Sequence, residues 1–140
     1  MRIGMTLPTM VGGLSRDALL GWSRRVDEGP FSTLAAGERI AFPNPELLVS
    51  LAAAAAVTER VRIAATVFVL PMHSTPWLAK QTATLDVLSG GRLVVGVGVG
   101  GREEDYRVVG ASFARRHERM DAQVTELRRL WAGVAPKTRR

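Results

Sequence analysis

Few residues of this chain have side chains that could do chemistry, and they are scattered along it. Glu38 and Arg39 are adjacent opposite charges that could contact a cofactor or a substrate, or could simply pair with neighbouring charges. His73 could act as a general acid or base, although a histidine in a loop is more often only solvated. The other histidine, His117, lies among arginines and is expected at the surface. The sequence shows no Ser-His-Asp arrangement, no paired carboxylates and no P-loop lysine.

The absence of cysteine removes several further kinds of site. Without cysteine there can be no disulfide, no thiolate metal site and no cysteine nucleophile. Two histidines are too few for a histidine-rich metal centre, so we expect no metal. A chain without cysteine also agrees with a cytoplasmic location, because disulfides belong to oxidising compartments.

A glycine-rich stretch, Gly96-x-Gly98-x-x-Gly101, formally matches the dinucleotide-binding fingerprint. A true fingerprint also needs an acidic residue at the end of a next strand, about 20 residues further on. The residues after Gly101 are predicted to be helical as far as Trp131, and no next strand follows. We therefore favour glycines that permit a tight loop over a pyrophosphate site.

The elements that must position these residues alternate between strand and helix. Apolar runs bounded by glycine, proline and capping residues predict strands over 3–7, 31–36, 62–70 and 92–97. A helix is predicted after each strand, the last of them over about 113–131. This order, repeated four times, predicts parallel strands joined by helical crossovers, which is the α/β class.

The helix ends carry their own signals. Ser15 is the predicted cap of the first helix, and Gly29 is expected to end it in the left-handed conformation. Asn44 is the predicted cap of the second helix, with Pro45 in its first turn. Ser74 or Thr75 is expected to cap the third.

Several longer motifs carry a resemblance to a known family. They are Pro45-Glu46-x-Leu48, Thr58-Glu59-Arg60-Val61-Arg62-Ile63, Ala79-Lys80-Gln81-x-Ala83-Thr84-Leu85-Asp86-x-Leu88-Ser89-Gly90-Gly91-Arg92-Leu93, Gly96-Val97-Gly98-x-Gly100-Gly101-Arg102-Glu103-Glu104-Asp105-Tyr106 and Arg116-x-x-Arg119-Met120-Asp121. In order and spacing the chain resembles the luciferase-like monooxygenases. The resemblance implies a (β/α)₈ barrel that uses FMN or the deazaflavin coenzyme F-420, often as a homodimer or tetramer.

The resemblance also implies where a cofactor would bind. The positions concerned are Glu38, Thr66, Val67, Phe68, Gly98, Val99 and Gly100. In the family the backbone at 66–68 is sometimes a non-prolyl cis peptide behind the isoalloxazine ring, and the loop at 98–100 borders the flavin. The alternatives are plain strand core at 66–68 and loop glycines with a structural role. Two departures stand out: Arg39 replaces the histidine of many deazaflavin enzymes, and no phosphate-contacting arginine stands near Val99. No catalytic residue is assigned.

The length departs from the family. A barrel of eight βα units needs about 250 residues, whereas this chain of 140 residues holds four units. We expect a half-barrel domain over 1–133 and a basic, disordered tail over 134–140. The open strand edges predict that the chain self-associates or is a fragment of a longer protein. The expected function is an oxidoreductase that exchanges hydride with a small organic substrate. The alternative is an inactive half barrel that serves as an oligomeric binding module.

Composition limits the partners. Apolar residues form 46% of the chain and charged residues 23%, so a folded domain is expected rather than disorder. The net charge of +6 collects near the C-terminus, but acidic residues interleave with the arginines, which disfavours nucleic-acid binding. The longest apolar run, 47–57, is too short to span a bilayer, and no signal peptide is visible. A membrane is therefore not an expected partner.

Overall fold

Four parallel strands form one sheet in the computed structural model, which describes residues 1–133. The strands are β1 (Gly4–Thr6), β2 (Thr33–Ala36), β3 (Arg62–Val69) and β4 (Leu93–Gly98). They lie side by side in sequence order, and all three pairings are parallel. The predicted α/β class and its four βα units are confirmed, and the predicted tail at 134–140 lies outside the described residues.

Helices connect the strands. They are α1 (Arg16–Glu28), α2 (Leu47–Ala55), α3 (Thr75–Leu88), α4 (Glu103–Val108) and α5 (Arg116–Trp131), with a 3₁₀ turn at Leu70–Met72. One last helix was predicted, over about 113–131. The structure has two helices here instead, a separate α4 and then α5, which begins only at Arg116. The intervening Gly110 has φ +69°, which suits glycine and breaks the helical path.

The core lies between one face of the sheet and the helices. Leu34 and Ile63 from the strands, and Leu51 from α2, have no measurable exposure. Because successive strand residues point to opposite faces, their neighbours Ala35 and Ala64 lie on the other face. Phe68 at the end of β3 is also buried, with 1% exposure.

Two predicted helix ends need correction. The Ser15 hydroxyl does accept a hydrogen bond from the Ala18 N–H at 3.2 Å, as expected. Gly29 has φ −83°, so it ends α1 without entering the left-handed region. The second helix is capped by Glu46, whose carboxylate accepts from the Val49 N–H at 2.7 Å, and not by Asn44. An acidic side chain there satisfies a free N–H and meets the positive end of the helix dipole.

Two arginines fasten the amino ends of the strands. The Arg92 guanidinium donates to the carbonyls of Ala55, Thr58, Val61 and Ser89 and to the Thr58 hydroxyl. The Arg60 guanidinium donates to the carbonyls of Val26, Asp27, Gly29 and Phe31. Each arginine thus satisfies carbonyls at the ends of several elements at once.

The carboxylate of Asp27 completes this region. It accepts from the N–H groups of Glu59, Arg60 and Val61 at 2.8–2.9 Å. Burial alone would raise the pKa of Asp27, but these three N–H groups and the charge of Arg60 outweigh burial and hold the pKa below its ordinary value.

The strands β3 and β4 approach each other closely because glycines line β4. A Cβ atom at Gly96 would lie 2.6 Å from the Ala65 carbonyl oxygen, and one at Gly98 would lie 2.9 Å from Cγ2 of Val67. The register between the strands shifts between Ala65 and Phe68. These glycines therefore have a structural role, which agrees with the tight-loop interpretation of the sequence.

The outer edges of the sheet are open within residues 1–133. The strand β1 pairs only with β2, and β4 pairs only with β3. No helix in this part of the chain is long and apolar enough to cross a membrane.

Replacing Gly96 with alanine tests the close approach of the strands. We expect Gly96→Ala to lower the free energy of unfolding by about 1–3 kcal/mol, because the new methyl group meets backbone that cannot move aside. Gly101→Ala is the matched control, since a Cβ there has no neighbour within 4 Å, and it should change stability by less than about 0.5 kcal/mol. Equal effects in urea denaturation would contradict the packing argument.

Candidate functional site

A buried carboxylate marks the carboxyl end of the sheet. Glu38 lies two residues after the end of β2, and its side chain is only 2% exposed. The carboxylate accepts a hydrogen bond from the Val69 N–H at 2.7 Å. His73 Nε2 lies 2.8 Å from one carboxylate oxygen and 3.0 Å from the other. The carboxylate thus joins the end of β2 to the end of β3 and to the turn that follows.

His73 is itself held from several sides, so the expectation of a merely solvated loop histidine was wrong. Its ring contacts Phe68 edge to face, with centroids 5.6 Å apart. Its backbone carbonyl accepts from Gln123 Nε2 at 2.9 Å and from the Arg119 guanidinium at 3.2 Å. The turn after β3 is therefore tied to both Glu38 and α5.

A second buried carboxylate, Asp105, holds the loop after β2 from the other side. One of its oxygens accepts from the N–H groups of Ile40 and Ala41 at 3.0 and 2.6 Å. The other accepts from Arg39 Nε at 2.8 Å. This contact joins residues that are 66 positions apart in the chain, so no local sequence pattern predicts it. Arg39 does pair with a charged neighbour in space, which is one of the two alternatives left open for it.

The donors around Asp105 set its protonation. Burial alone would raise the pKa of Asp105, but the Ala41 N–H, the Arg39 guanidinium and the Ile40 N–H more than offset this effect. They hold the pKa below its ordinary value of 3.8. The carboxylate is therefore ionised throughout the neutral range, and it forms a partly buried ion pair with Arg39.

Tyr106 fixes the glycine-rich loop after β4. It is 1% exposed, and its hydroxyl donates to the Val99 carbonyl. Its ring packs edge to face on Phe113 at 5.2 Å. A Cβ atom at Gly100 would lie 2.7 Å from the Val69 side chain, and Gly100 has φ +62°. The loop backbone therefore lies directly against the end of β3.

A cavity of about 430 Å³ opens between these loops. Its wall includes the buried Glu38, the exposed Arg102 and the apolar side chains of Phe42 and Val67. Thr66 also lines it, and the peptide bond between Thr66 and Val67 is cis. A smaller adjoining space is lined by Gly100, Asp105 and Tyr106.

The structure brings together only some of the positions that the family resemblance implied. Glu38, Thr66 and Val67 line the larger cavity, and Gly100 lines the smaller one. Phe68 is packed in the hydrophobic core. Gly98 faces Val67, and Val99 bonds to Tyr106, so both support the loop. His73, a candidate from the sequence, lies beside the site through its contact with Glu38. Sequence reasoning missed Asp105 and Arg102 as neighbours of the site, because contacts between distant loops leave no periodic signal in the chain.

Metal binding has no support among residues 1–133. No group of three or more histidine, aspartate or glutamate side chains lies close enough there to hold an ion. The predicted absence of a metal site remains an expectation for the whole chain.

The sequence matches known proteins over most of its length. Residues 1–139 match the family model described as luciferase-like monooxygenase. An uncharacterized protein of Mycobacterium tuberculosis is 38% identical over 91 residues, which cover 65% of this chain and 32% of that protein. The 4-hydroxyprotoasukamycin monooxygenase of Streptomyces nodosus is 35% identical over 96 residues, covering 69% of this chain and 25% of the relative. The chain thus matches about a third or less of these relatives.

Solved structures share the fold. Monooxygenase RslO1 from Streptomyces bottropensis matches with a TM-score of 0.86 at 30% identity, over 94% of this chain and 43% of that one. The oxygenating constituent of 3,6-diketocamphane monooxygenase from Pseudomonas putida, in complex with FMN, matches at 0.81 and 22% identity, over 94% and 39%. An F-420-dependent secondary alcohol dehydrogenase with an F-420–acetone adduct matches at 0.82 and 22%, over 99% and 44%. The last two likenesses show the fold alone.

The ionised Asp105 predicts a specific pH dependence of stability. Its folded-state pKa is depressed, so its contribution is fully present above the unfolded pKa and is lost as pH falls through the folded value. We expect Asp105→Asn to lower the free energy of unfolding by about 1–3 kcal/mol at neutral pH. This difference should stay constant above about pH 5 and shrink as pH falls past 3.8.

Denaturant titrations of both proteins between pH 2.5 and 7 measure this difference. Asp27 is intact in both, so its own titration cancels from the comparison. A difference that does not change with pH would rule out the ionised carboxylate as the cause.

Proposed function

Because the chain belongs to the luciferase-like monooxygenase family, we propose that it is an oxidoreductase that uses FMN or coenzyme F-420 in a reaction with a small organic substrate. The cavity at the carboxyl ends of β2 and β3 is the observation that carries this proposal. Barrel enzymes of the (β/α)₈ type bind their ligands at this end of the strands. The lack of cysteine agrees with a cytoplasmic enzyme, which we include in the proposal.

The lining residues suit a flat aromatic ring with polar edges. Val67, Val69, Phe42 and Met10 offer apolar surface on the walls of the cavity. Polar groups are few and lie at defined places, as is usual for cofactor sites. The absence of a Cβ at Gly37 matters here, because that atom would lie 3.3 Å from the Thr66 carbonyl oxygen and narrow the approach to the cis peptide.

Arg102 and Glu38 would contact different parts of the cofactor. Arg102 lines both spaces and forms no ion pair within residues 1–133, so it would hold an anionic group such as a phosphate. Glu38 would present a fixed hydrogen-bond acceptor, because the Val69 N–H and His73 prevent its carboxylate from turning away. When bound, FMN or F-420 supplies a ring that accepts and returns hydride, which no side chain can do.

The surrounding contacts would keep this arrangement rigid. Asp105 immobilises the loop at 39–41 beside the cavity, and Tyr106 immobilises the loop that carries Val99. Binding groups held on a fixed frame lose little conformational freedom when a ligand enters, so more of the contact energy appears as affinity.

Titration with each cofactor tests the proposal. We expect FMN or F-420 to bind the 140-residue chain saturably. Quenching of the cofactor's fluorescence during the titration measures this binding. Arg102→Ala should weaken that binding about tenfold or more, because it removes a charged donor. Arg107→Ala removes an exposed arginine from the same helix region without touching either space and should leave binding unchanged.

The opposite results are also informative. If neither cofactor binds, the oxidoreductase proposal fails and an inactive scaffold remains. If both arginine variants weaken binding equally, the cofactor is held by general positive charge and not at this cavity.

A further inference from the structure

A carboxylate and an imidazole share a hydrogen bond at the wall of the cavity. Glu38 lines both the cavity and the smaller adjoining space, whereas His73 lines neither. His73 Nε2 lies 2.8 Å from Oε1 of Glu38 and 3.0 Å from Oε2, and the Val69 N–H donates to Oε2 at 2.7 Å. The His73 side chain keeps 22% of its surface exposed, against 2% for Glu38. The pair therefore connects the wall of the cavity to a ring that contacts solvent.

The other titratable groups that line these spaces are poorly suited to proton transfer. Burial acts to raise the pKa of Asp105, but three donors, one of them the Arg39 guanidinium, outweigh burial and hold that pKa below its ordinary value. The Tyr106 hydroxyl donates to a backbone carbonyl, and burial raises its pKa. Arg102, like Arg39, keeps its protons at neutral pH. Of the lining residues within 1–133, Glu38 is thus the one able to exchange a proton.

Glu38 and Asp105 also differ in the partners that hold them. The donors to Asp105 are backbone N–H groups and a guanidinium, none of which gives up its proton near neutral pH. Within residues 1–133, Glu38 bonds to one backbone N–H and to the imidazole of His73. An imidazole can both give and take a proton in this range. Because the two groups are within hydrogen-bond distance, a proton added to one is shared with the other.

Further charged residues lie near this pair. On one side, Arg119 of α5 donates to the backbone carbonyl of His73 at 3.2 Å. On the other side, the smaller space is also lined by Arg102 and by the ion pair of Arg39 with Asp105. The ion pair is neutral overall, so Arg102 adds a net positive charge beside the carboxylate. That charge would stabilise negative charge that develops on a ligand oxygen until a proton arrives.

We propose that Glu38 is the residue that exchanges a proton with the substrate, and that His73 supplies this proton through it. The proposal rests on the proposed oxidoreductase function, in which hydride supplied by the bound cofactor adds to a carbon atom of the substrate. The oxygen or nitrogen bonded to that carbon then needs a proton, as when a carbonyl compound becomes an alcohol. The substrate class is therefore a small carbonyl compound or imine, or the corresponding alcohol or amine.

The proton moves in two steps. The Nε2–H bond of protonated His73 breaks as an O–H bond forms at Oε1 of Glu38, 2.8 Å away. That O–H bond breaks as the proton passes to the substrate oxygen or nitrogen, and Glu38 is again a carboxylate. Neutral His73 then regains one proton from solvent, and oxidation of an alcohol runs the same steps in reverse. Glu38 contacts the substrate and is the catalytic residue, whereas His73 is a positioning residue that acts through it.

The hydrogen bond of the pair can be measured without any cofactor. The chain has only two histidines, His73 and His117, so nitrogen-15 NMR resolves their rings. We expect the Nε2–H of His73 to exchange with water much more slowly than the ring N–H groups of the exposed His117, because a buried carboxylate holds it. In Glu38→Gln the side-chain amide should donate to Nε2, so the ring hydrogen should move to Nδ1. Equally fast exchange at both histidines would overturn the pairing.

Turnover of small ketones tests the transfer itself. Acetone and cyclohexanone are the probes, with the cofactor that the chain binds supplied in reduced form and its absorbance recorded. Glu38→Gln should lower kcat about a hundredfold or more, because an amide cannot act as the acid. His73→Gln retains an N–H donor for the carboxylate but cannot carry an extra proton. Its kcat should fall about tenfold or more, while its cofactor dissociation constant stays unchanged. His117→Gln is the matched control, because His117 is exposed on α5, and it should keep the wild-type kcat.

The outcomes separate this proposal from the proposed function. A wild type that binds neither cofactor refutes the proposed function, whereas the NMR measurement still judges the pair. A wild type that binds cofactor but reduces neither ketone would overturn the substrate class. Wild-type kcat in His73→Gln would overturn the supply of the proton by His73, and wild-type kcat in Glu38→Gln would overturn the whole proposal. Circular dichroism verifies that each variant remains folded.

Discussion

The need to satisfy buried carboxylates organises the carboxyl end of this sheet. Glu38 and Asp105 are both nearly removed from water, and burying a carboxyl group there costs free energy unless hydrogen-bonding partners reach it. The donors come from the loop after β2, from the end of β3 and from a histidine beyond it. Meeting that requirement places three loops in contact, and the cavity is the space that remains between them.

The central strand β3 connects this end of the sheet to the opposite one. It pairs with β2 and β4, and its residue Phe68 reaches the core while Val69 offers its N–H to Glu38. Glycines in β4 let the neighbouring strand approach at the register shift. At the amino end, Arg92 fastens the start of β4 to the end of α2. The position of the cavity thus depends on backbone contacts along the whole length of β3.

The sequence was sufficient for the repeating elements and for the family, because apolar periodicity, caps and glycine punctuation are local signals. The sequence was less reliable where two nearby residues can both cap a helix. Asn44 and Glu46 both suit the start of α2, and the path of the chain places Glu46 in the capping position. The separate α4 was missed because its six residues are too short for a clear apolar period. The contacts of Asp105 and His73 join loops far apart in the chain, so their residue types alone could not indicate partners. Of the implied cofactor positions, Glu38, Thr66 and Val67 reach the larger cavity, whereas Phe68 follows the alternation of the strand into the core.

The arginine contacts at the amino end have a consequence for how the sequence can change over evolution. Arg92 binds four main-chain carbonyls, and its one side-chain partner is the hydroxyl of Thr58. A carbonyl is the same whatever side chain it carries, so these hydrogen bonds place no demand on the residue type at Ala55 and Val61, which is limited instead by their burial in the core. The arginine itself has no such freedom, because lysine cannot reproduce its planar array of donors. Packing therefore limits the residues around Arg92, hydrogen bonding limits Arg92 itself, and loops could be exchanged at the far end of the sheet without loosening this base.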